Sequence, residues 1–224
     1  AVNAIRRDGM AFEVKTTFRT LRCERLIITS GGKSYPGSGT TGDGYRWLAS
    51  MGHAVRRPRP ALVPLTSGEP WVHELSGLTV PNVRVQIVDS QANIMPHAER
   101  FSGPPPDVLI ARRGSLLFTH FGLSGPVVLD VSRVVTKTDN PLSLKFIADF
   151  MPDTSVDELN SRLKELSSTD GKRLVAACLA DELPRRLVDA LMFHAEVPFD
   201  RRAAELSKAE RMRLVDQLKH CFIP

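Results

Sequence analysis

The sequence predicts a mixed α+β chain in three parts: an α/β segment over residues 1–55, a β-rich middle over 56–150, and a small helical bundle over 151–224. Three observations predict it. The apolar run Leu26-Ile27-Ile28 empties into Gly31-Gly32, and ten residues later Gly42-Asp43-Gly44 opens a helical pattern. From Arg56, prolines at 58, 60 and 64 break that pattern, and apolar residues then alternate with polar ones at the strand period. From Met151 the apolar spacing becomes three and four, the period of one helix face.

Residues 2–17 alternate around Asp8-Gly9, a β-hairpin signature, with Phe12 and Val14 on one face and Glu13 and Lys15 on the other. Leu26-Ile27-Ile28 lacks alternation, as a strand covered on both faces does. Trp47, Leu48 and Met51 suit a short amphipathic helix, with Gly52 just past its end. In the middle part, Val83, Val85 and Ile87, then Leu116-Leu117-Phe118, then Leu142, Leu144 and Phe146 are strand candidates. Between the first two of these, residues 90–113 carry Pro96 and Pro104-Pro105-Pro106 and read as a long loop. Ser124 is placed as the cap of a helix running toward Val135, with Pro126 in its first turn. In the last part Ser155 and Glu158 form a capping-box pair ahead of Leu159, Leu163 and Leu166. A second helix is expected over 171–182, and a third after Leu183-Pro184 with the proline in its first turn. A fourth follows Ser207 and Glu210, ahead of Met212, Val215 and Leu218. Helices this short hold only when packed.

With 224 residues, 42% apolar and 25% charged, the chain can bury a sizeable core. No window approaches the roughly 18 apolar residues of a membrane span. The opening Ala1-Val2-Asn3-Ala4-Ile5 has no initiator methionine and no signal-peptide pattern, and reads as a cut within a longer protein. Cys23, Cys178 and Cys221 are odd in number and far apart, which argues against a disulfide framework. A reducing, cytoplasmic setting follows, with the thiols serving as small hydrophobes. His53, His73, His97, His194 and His220 have no cysteine or carboxylate at ligand spacing, so no metal is expected. The net charge of +5 comes with dispersed clusters: Arg56-Arg57 and Arg59, Arg112-Arg113, Arg185-Arg186 and Arg201-Arg202. Such groups form solvated faces or the rim of an anion site. Aromatic residues are 6% of the chain and none interleaves with the arginines as a stacking motif, which argues against nucleic acid.

Two constellations could carry chemistry. Residues 29–32 stand at a strand end, offering N–H groups and a surface free of Cβ atoms, where open α/β sheets bind nucleotides. Asp43, between two glycines, either accepts a hydrogen bond from a nucleotide cofactor or caps the following helix. The second is Phe118-Thr119-His120-Phe121-Gly122-Leu123-Ser124-Gly125-Pro126. A helix start behind Ser124 can hold an anion or a cofactor edge. His120 either donates a proton or hydrogen bond there, or is a satisfied histidine at a strand end.

Ser30-Gly31-Gly32-Lys33-Ser34-Tyr35-Pro36, Thr41-Gly42-Asp43-Gly44-Tyr45, Arg59-Pro60-Ala61-Leu62-Val63-Pro64-Leu65, Leu75-Ser76-Gly77-Leu78 and the His120 segment follow one another in this order. Together they resemble the BaiN/YhiN-type family of NAD(P)/FAD-dependent oxidoreductases, and Leu183-Pro184-Arg185-Arg186-Leu187 extends the resemblance to nearly the whole chain. The resemblance implies a flavoprotein whose Rossmann-like FAD domain is interrupted by a β-rich, barrel-like domain carrying a helical insert. Residues 1–55 would then be a partial FAD-binding domain. FAD contacts are implied at Ser30, Gly31, Gly32, Gly42, Asp43 and Gly44, with His120 the catalytic candidate near flavin or substrate. The implied reaction moves a hydride between NAD(P)H, or a small organic substrate, and FAD. Arg112, Arg113, Arg185 and Arg186 would favour an anionic substrate or simply be solvated. Two departures stand out: Thr29-Ser30-Gly31-Gly32 replaces the family's Ala-Thr-Gly-Gly, and both the N-terminal GxGxxG fingerprint and the C-terminal return to the FAD domain are absent from this sequence. The chain alone is therefore expected to bind FAD weakly or not at all and to be inactive, its partners being the missing FAD-domain segments. The competing class is a non-enzymatic β-plus-helix module docking an acidic or protein partner.

Overall fold

A computed structural model describes residues 1–89 and 108–224; the prolines at 96 and 104–106 of the expected loop, and His97, lie outside the described residues. The chain forms two compact units, Ala1–Pro60 and Ala61–Pro224.

In the first unit β1 (Val2–Asp8), β2 (Ala11–Thr16) and β3 (Thr20–Cys23) make an antiparallel sheet in chain order. The Asp8-Gly9 hairpin forms as expected, with Gly9 in the left-handed region at φ 61°. Ile5 lies opposite Val14 in the register, and the pair packs with Trp47 of α1 (Asp43–Ser50). Gly52 turns the chain out of α1 at φ 89°, its N–H donating to the Ala49 carbonyl. One expectation fails here. Leu26-Ile27-Ile28 is not a strand and pairs with none of the sheet, and Ile27 is 86% exposed. An unalternating strand needs a hydrogen-bonded neighbour and cover on both faces, and this antiparallel sheet supplies neither.

In the second unit β4 (Leu65–Thr66), β5 (Thr79–Asp89), β6 (Val108–Thr119), β7 (Gly122–Ser124), β8 (Leu144–Asp149) and β9 (Cys221–Ile223) form one sheet, ordered β4-β7-β6-β5-β8-β9. Every pairing is antiparallel and the sheet curls into a half-barrel. Register shifts in β5, between Val80 and Val83 and between Ile87 and Val88, allow that curl. Val83, Val85 and Ile87 bury their side chains with Leu116 and Phe118 of β6 and Phe146 and Ala148 of β8. Residues 108–113, read as the end of a loop, belong to β6 and pair with β5. β8 starts at Leu144, while Leu142 sits exposed in the preceding turn.

The same core is covered by α2 (Pro70–Glu74), α3 (Pro126–Lys137), α4 (Val156–Thr169), α5 (Val175–Leu179), α6 (Arg185–His194) and α7 (Lys208–Lys219). Reciprocal capping boxes open α4 at Ser155/Glu158 and α7 at Ser207/Glu210, as the sequence predicts. The second expected helix shrinks to α5, because Leu174 bridges to Arg202 and the Val175 N–H donates to the Arg201 carbonyl. Pro184 is the cap residue of α6 rather than part of its first turn. α3 does start at Pro126, but its cap is Gly125, because Ser124 is still paired with Leu117 in the sheet. A Cβ on Gly125 would stand 2.8 Å from the Ser115 carbonyl oxygen, and its φ is 91°.

Lys219 fixes the end of α7. Its side chain is almost fully buried, and Nζ donates to Asp149 Oδ2 (2.8 Å), the Met151 carbonyl (2.8 Å) and the Thr154 carbonyl (2.6 Å). Three ammonium hydrogens thus meet three acceptors, which is what makes a buried charge tolerable. Cys178 and Cys221 are buried, and burial pushes the Cys221 thiol up to about 12, so it behaves as a small hydrophobe. Among the described residues no helix is long and apolar enough to cross a membrane.

Candidate functional site

The glycine-rich residues of the first unit fold into two bends that pack on each other. At Gly44 a Cβ would meet Ser30 Oγ at 2.7 Å, and at Gly31 one would meet Thr40 Cγ2 at 2.9 Å. The Lys33 stem lies across Gly42, 2.4 Å from where a Cβ would stand, and Gly32 faces the Tyr45 hydroxyl. Gly31 and Gly42 also have φ of 75° and 81°, which side chains of L-residues resist. The glycines therefore make room, first of all, for the opposite bend. Ser30, Gly31, Gly32, Gly42, Asp43 and Gly44 come together, with Ser30 and Gly31 exposed and Gly42 and Gly44 buried.

Asp43 is not the cap of α1. Gly42 holds that position without a side-chain bond, and Asp43 is the first helical residue. Its carboxylate accepts from Thr41 Oγ1 at 2.7 Å and from Arg46 Nη2 at 2.7 Å. Thr41, Arg46 and Lys33 are parts of this site that sequence reasoning missed. The spacing of Asp43 and Arg46, three apart on one helix, was the available signal for the pair. As a cofactor cradle the arrangement fits in part. The bend at Ser30-Gly31 is open to a ligand and lies against the start of α1, whereas the space at Gly42 holds Lys33.

His120 lies in the second unit, exposed in the β6–β7 turn with its ring edge-on to Phe121 at 4.9 Å. Gly122 carries the chain past Leu65, whose carbonyl oxygen would be 2.3 Å from an added Cβ. The arginines offered as an anion rim are engaged with their own chain. Arg185 pairs with Asp189 at 2.8 Å, and Arg186 donates to the Glu74 and Ser76 carbonyls. Arg113 binds Asn82 and Asp153, and its hydrogen bond holds the Asp153 carboxyl below its ordinary range. Arg112 donates to the Ala111 carbonyl. Among the described residues no group of three or more histidine, cysteine or acidic side chains is arranged to hold a metal.

Residues 59–224, covering the curled sheet and its helices, match the family described as the HI0933-like protein barrel and H2TH domain. The chain belongs to that family. Among relatives of this HI0933-like chain, a ribosomal RNA dihydrouridine synthase of Escherichia coli (strain K12) is 29% identical over 221 residues, 97% of the chain and 48% of the relative. A protein of the same name from Haemophilus influenzae is 30% identical over 215 residues, 95% of the chain and 46% of the relative. The 3-dehydro-bile acid delta(4,6)-reductase of Clostridium scindens is 23% identical over 226 residues, 99% of the chain and 51% of the relative. The chain spans about half the length of these curated relatives.

Proposed function

We propose that this HI0933-like chain is part of a flavin-dependent oxidoreductase that saturates a carbon–carbon double bond conjugated to a carbonyl, with a uridine of RNA as the favoured substrate class. One observation carries the reading: two relatives named for dihydrouridine formation and one named as a delta(4,6)-reductase align with 95–99% of the chain. A uracil ring and a 3-dehydro steroid share the same electrophile, a double bond polarised by a carbonyl. Reduction adds a hydride at one carbon and a proton at its neighbour, and FAD, when bound, supplies the hydride that NAD(P)H gives it. The RNA relatives are the more similar in sequence, and on their strength this reading sets aside the compositional argument against nucleic acid.

In this reading Ser30, Gly31 and Gly32 border the cofactor, and Asp43, oriented by Thr41 and Arg46, offers a carboxylate beside it. Gly42 and Gly44 let the two bends close, and His120 supplies a polar contact to the substrate. The Rossmann-like remainder of the FAD domain, with its pyrophosphate cradle, comes from chain outside this sequence. The test is the full-length protein. It should purify with flavin absorbance and oxidise NAD(P)H. Asp43→Ala should weaken FAD retention about tenfold, the scale of one charged hydrogen bond, and Gly32→Val should weaken it by filling the space beside the Tyr45 hydroxyl. Flavin content unchanged in both variants would remove the site assignment. A colourless protein indifferent to FAD would favour the interaction module instead.

A further inference from the structure

We infer that the first unit holds the phosphate backbone of an RNA chain in a basic hollow between β1 and α1. The inference rests on the RNA reading above and names the surface that reading leaves unassigned. Charge is unevenly divided along the chain. Residues 1–60 hold eleven lysines and arginines against four acids, a net +7, whereas residues 61–224 hold nineteen against twenty-one, a net −2. The second unit also neutralises many of its own cations: Arg113, Arg162, Arg173, Arg185 and Arg201 each sit on a carboxylate. In the first unit Asp8 pairs with Arg22 and Asp43 with Arg46, while Glu13, across from Arg6 in the register, makes no ion pair with it. A polyanion is drawn to the unit with the excess.

Part of that excess meets in one place. A cavity of about 610 Å³ is lined from β1 by Asn3, Arg6 and Arg7 and from α1 by Arg46 and Ser50. All five residues are exposed, so a ligand can reach them. β1 borders its sheet, and successive residues of a strand leave opposite faces, so Arg6 and Arg7 flank a free edge. Arg46 bonds Asp43 through Nη2, which leaves other N–H groups of its guanidinium for a second acceptor. Guanidiniums gathered round one hollow repel one another, and an anion between them removes the repulsion. The chemistry selects phosphate. Guanidinium forks match its oxygens, and amide and hydroxyl donors such as Asn3 and Ser50 add neutral hydrogen bonds to it. A protein partner is a poorer match, because protein interfaces exclude charge from their centre and nucleic-acid interfaces concentrate positive charge.

Anisotropy of the full-length protein with fluorescein-labelled oligouridine and oligoadenine RNA of one length, across a salt series, tests this. Arg6→Gln/Arg7→Gln should bind both RNAs more weakly and to the same extent, because backbone contacts carry no sequence. The slope of log affinity against log salt should become shallower by about 0.7 for each arginine removed. Arg6→Lys/Arg7→Lys, which keeps the charge, should hold the wild-type slope. Lys164→Gln/Lys172→Gln, the same charge change on exposed residues of the second unit, should leave slope and affinity as they are. Flavin absorbance and NAD(P)H oxidation without RNA should not change in any of the three. A wild-type slope in the Arg6→Gln/Arg7→Gln protein would overturn the inference and leave the RNA reading standing. So would an equal effect from the lysine pair, since charge anywhere would then suffice, or a loss of flavin with the RNA, which would give the hollow to the cofactor or to the rest of the FAD domain. A wild-type protein without salt-dependent RNA binding would overturn the inference and the RNA reading together.

Discussion

The two units form regular elements equally well and differ in what those elements can bury. The first unit has a hairpin, a third strand and a two-turn helix, yet its buried apolar core is Ile5, Val14 and Trp47. Met10 and Phe18 are each 91% exposed, and the Trp47 indole N–H is buried without a partner. The second unit runs one continuous core from Val72 to Ile223, fed by both the sheet and the helices. Local pattern makes strands and helices; enclosure needs a second layer over every apolar face. Sixty residues with one small sheet and one helix cover too little of their own surface to be self-sufficient.

Cutting the chain between Pro60 and Ala61 is the strongest way to break that contrast. Residues 61–224 alone should melt in one cooperative transition by circular dichroism, and residues 1–60 alone should show none. A cooperative melt of 1–60 would erase the distinction. Within the second unit, Lys219→Met should cost about 3 kcal/mol in urea unfolding, because it leaves the mostly covered Asp149 carboxylate with the Met151 N–H but no cation. Adding Asp149→Leu should restore much of that loss, and a single-variant cost below about 1 kcal/mol would show the clip to be dispensable. The smallest effect is one of pH. Burial lowers the His194 pKa from 6.5, so the unfolded chain takes up its proton first. Its contribution is therefore complete above pH 6.5 and declines as pH falls below that value toward the folded pKa. Glu210 acts lower: burial alone would raise it, but the Ser207 hydrogen bonds and Arg201 hold it below 4.5, so its contribution fades only under that pH. His194→Phe should flatten the pH dependence of the melting temperature just below 6.5 and leave the lower limb intact. Identical slopes in variant and wild type would count against a histidine buried in its neutral form.

Where one local signal decides, the sequence was readable. Asp8-Gly9, the capping boxes at Ser155 and Ser207, Pro126 and Gly52 each fix the backbone through bonds among near neighbours, and each lies where expected. Leu26-Ile27-Ile28 failed for the opposite reason: its state depends on strands that are not its neighbours in sequence. Ser124 failed because pairing with Leu117 outcompeted capping. At the candidate site the glycine pattern was legible as close approach, but nothing in it told whether the approaching group was a ligand or Lys33 and Ser30 of the same chain.

Among the described residues β4, two residues long, borders one end of the half-barrel. A strand so brief offers a visitor very few free amide and carbonyl groups in a row. Another polypeptide therefore gains little by pairing with β4, whether as an aggregating copy or as an added ribbon.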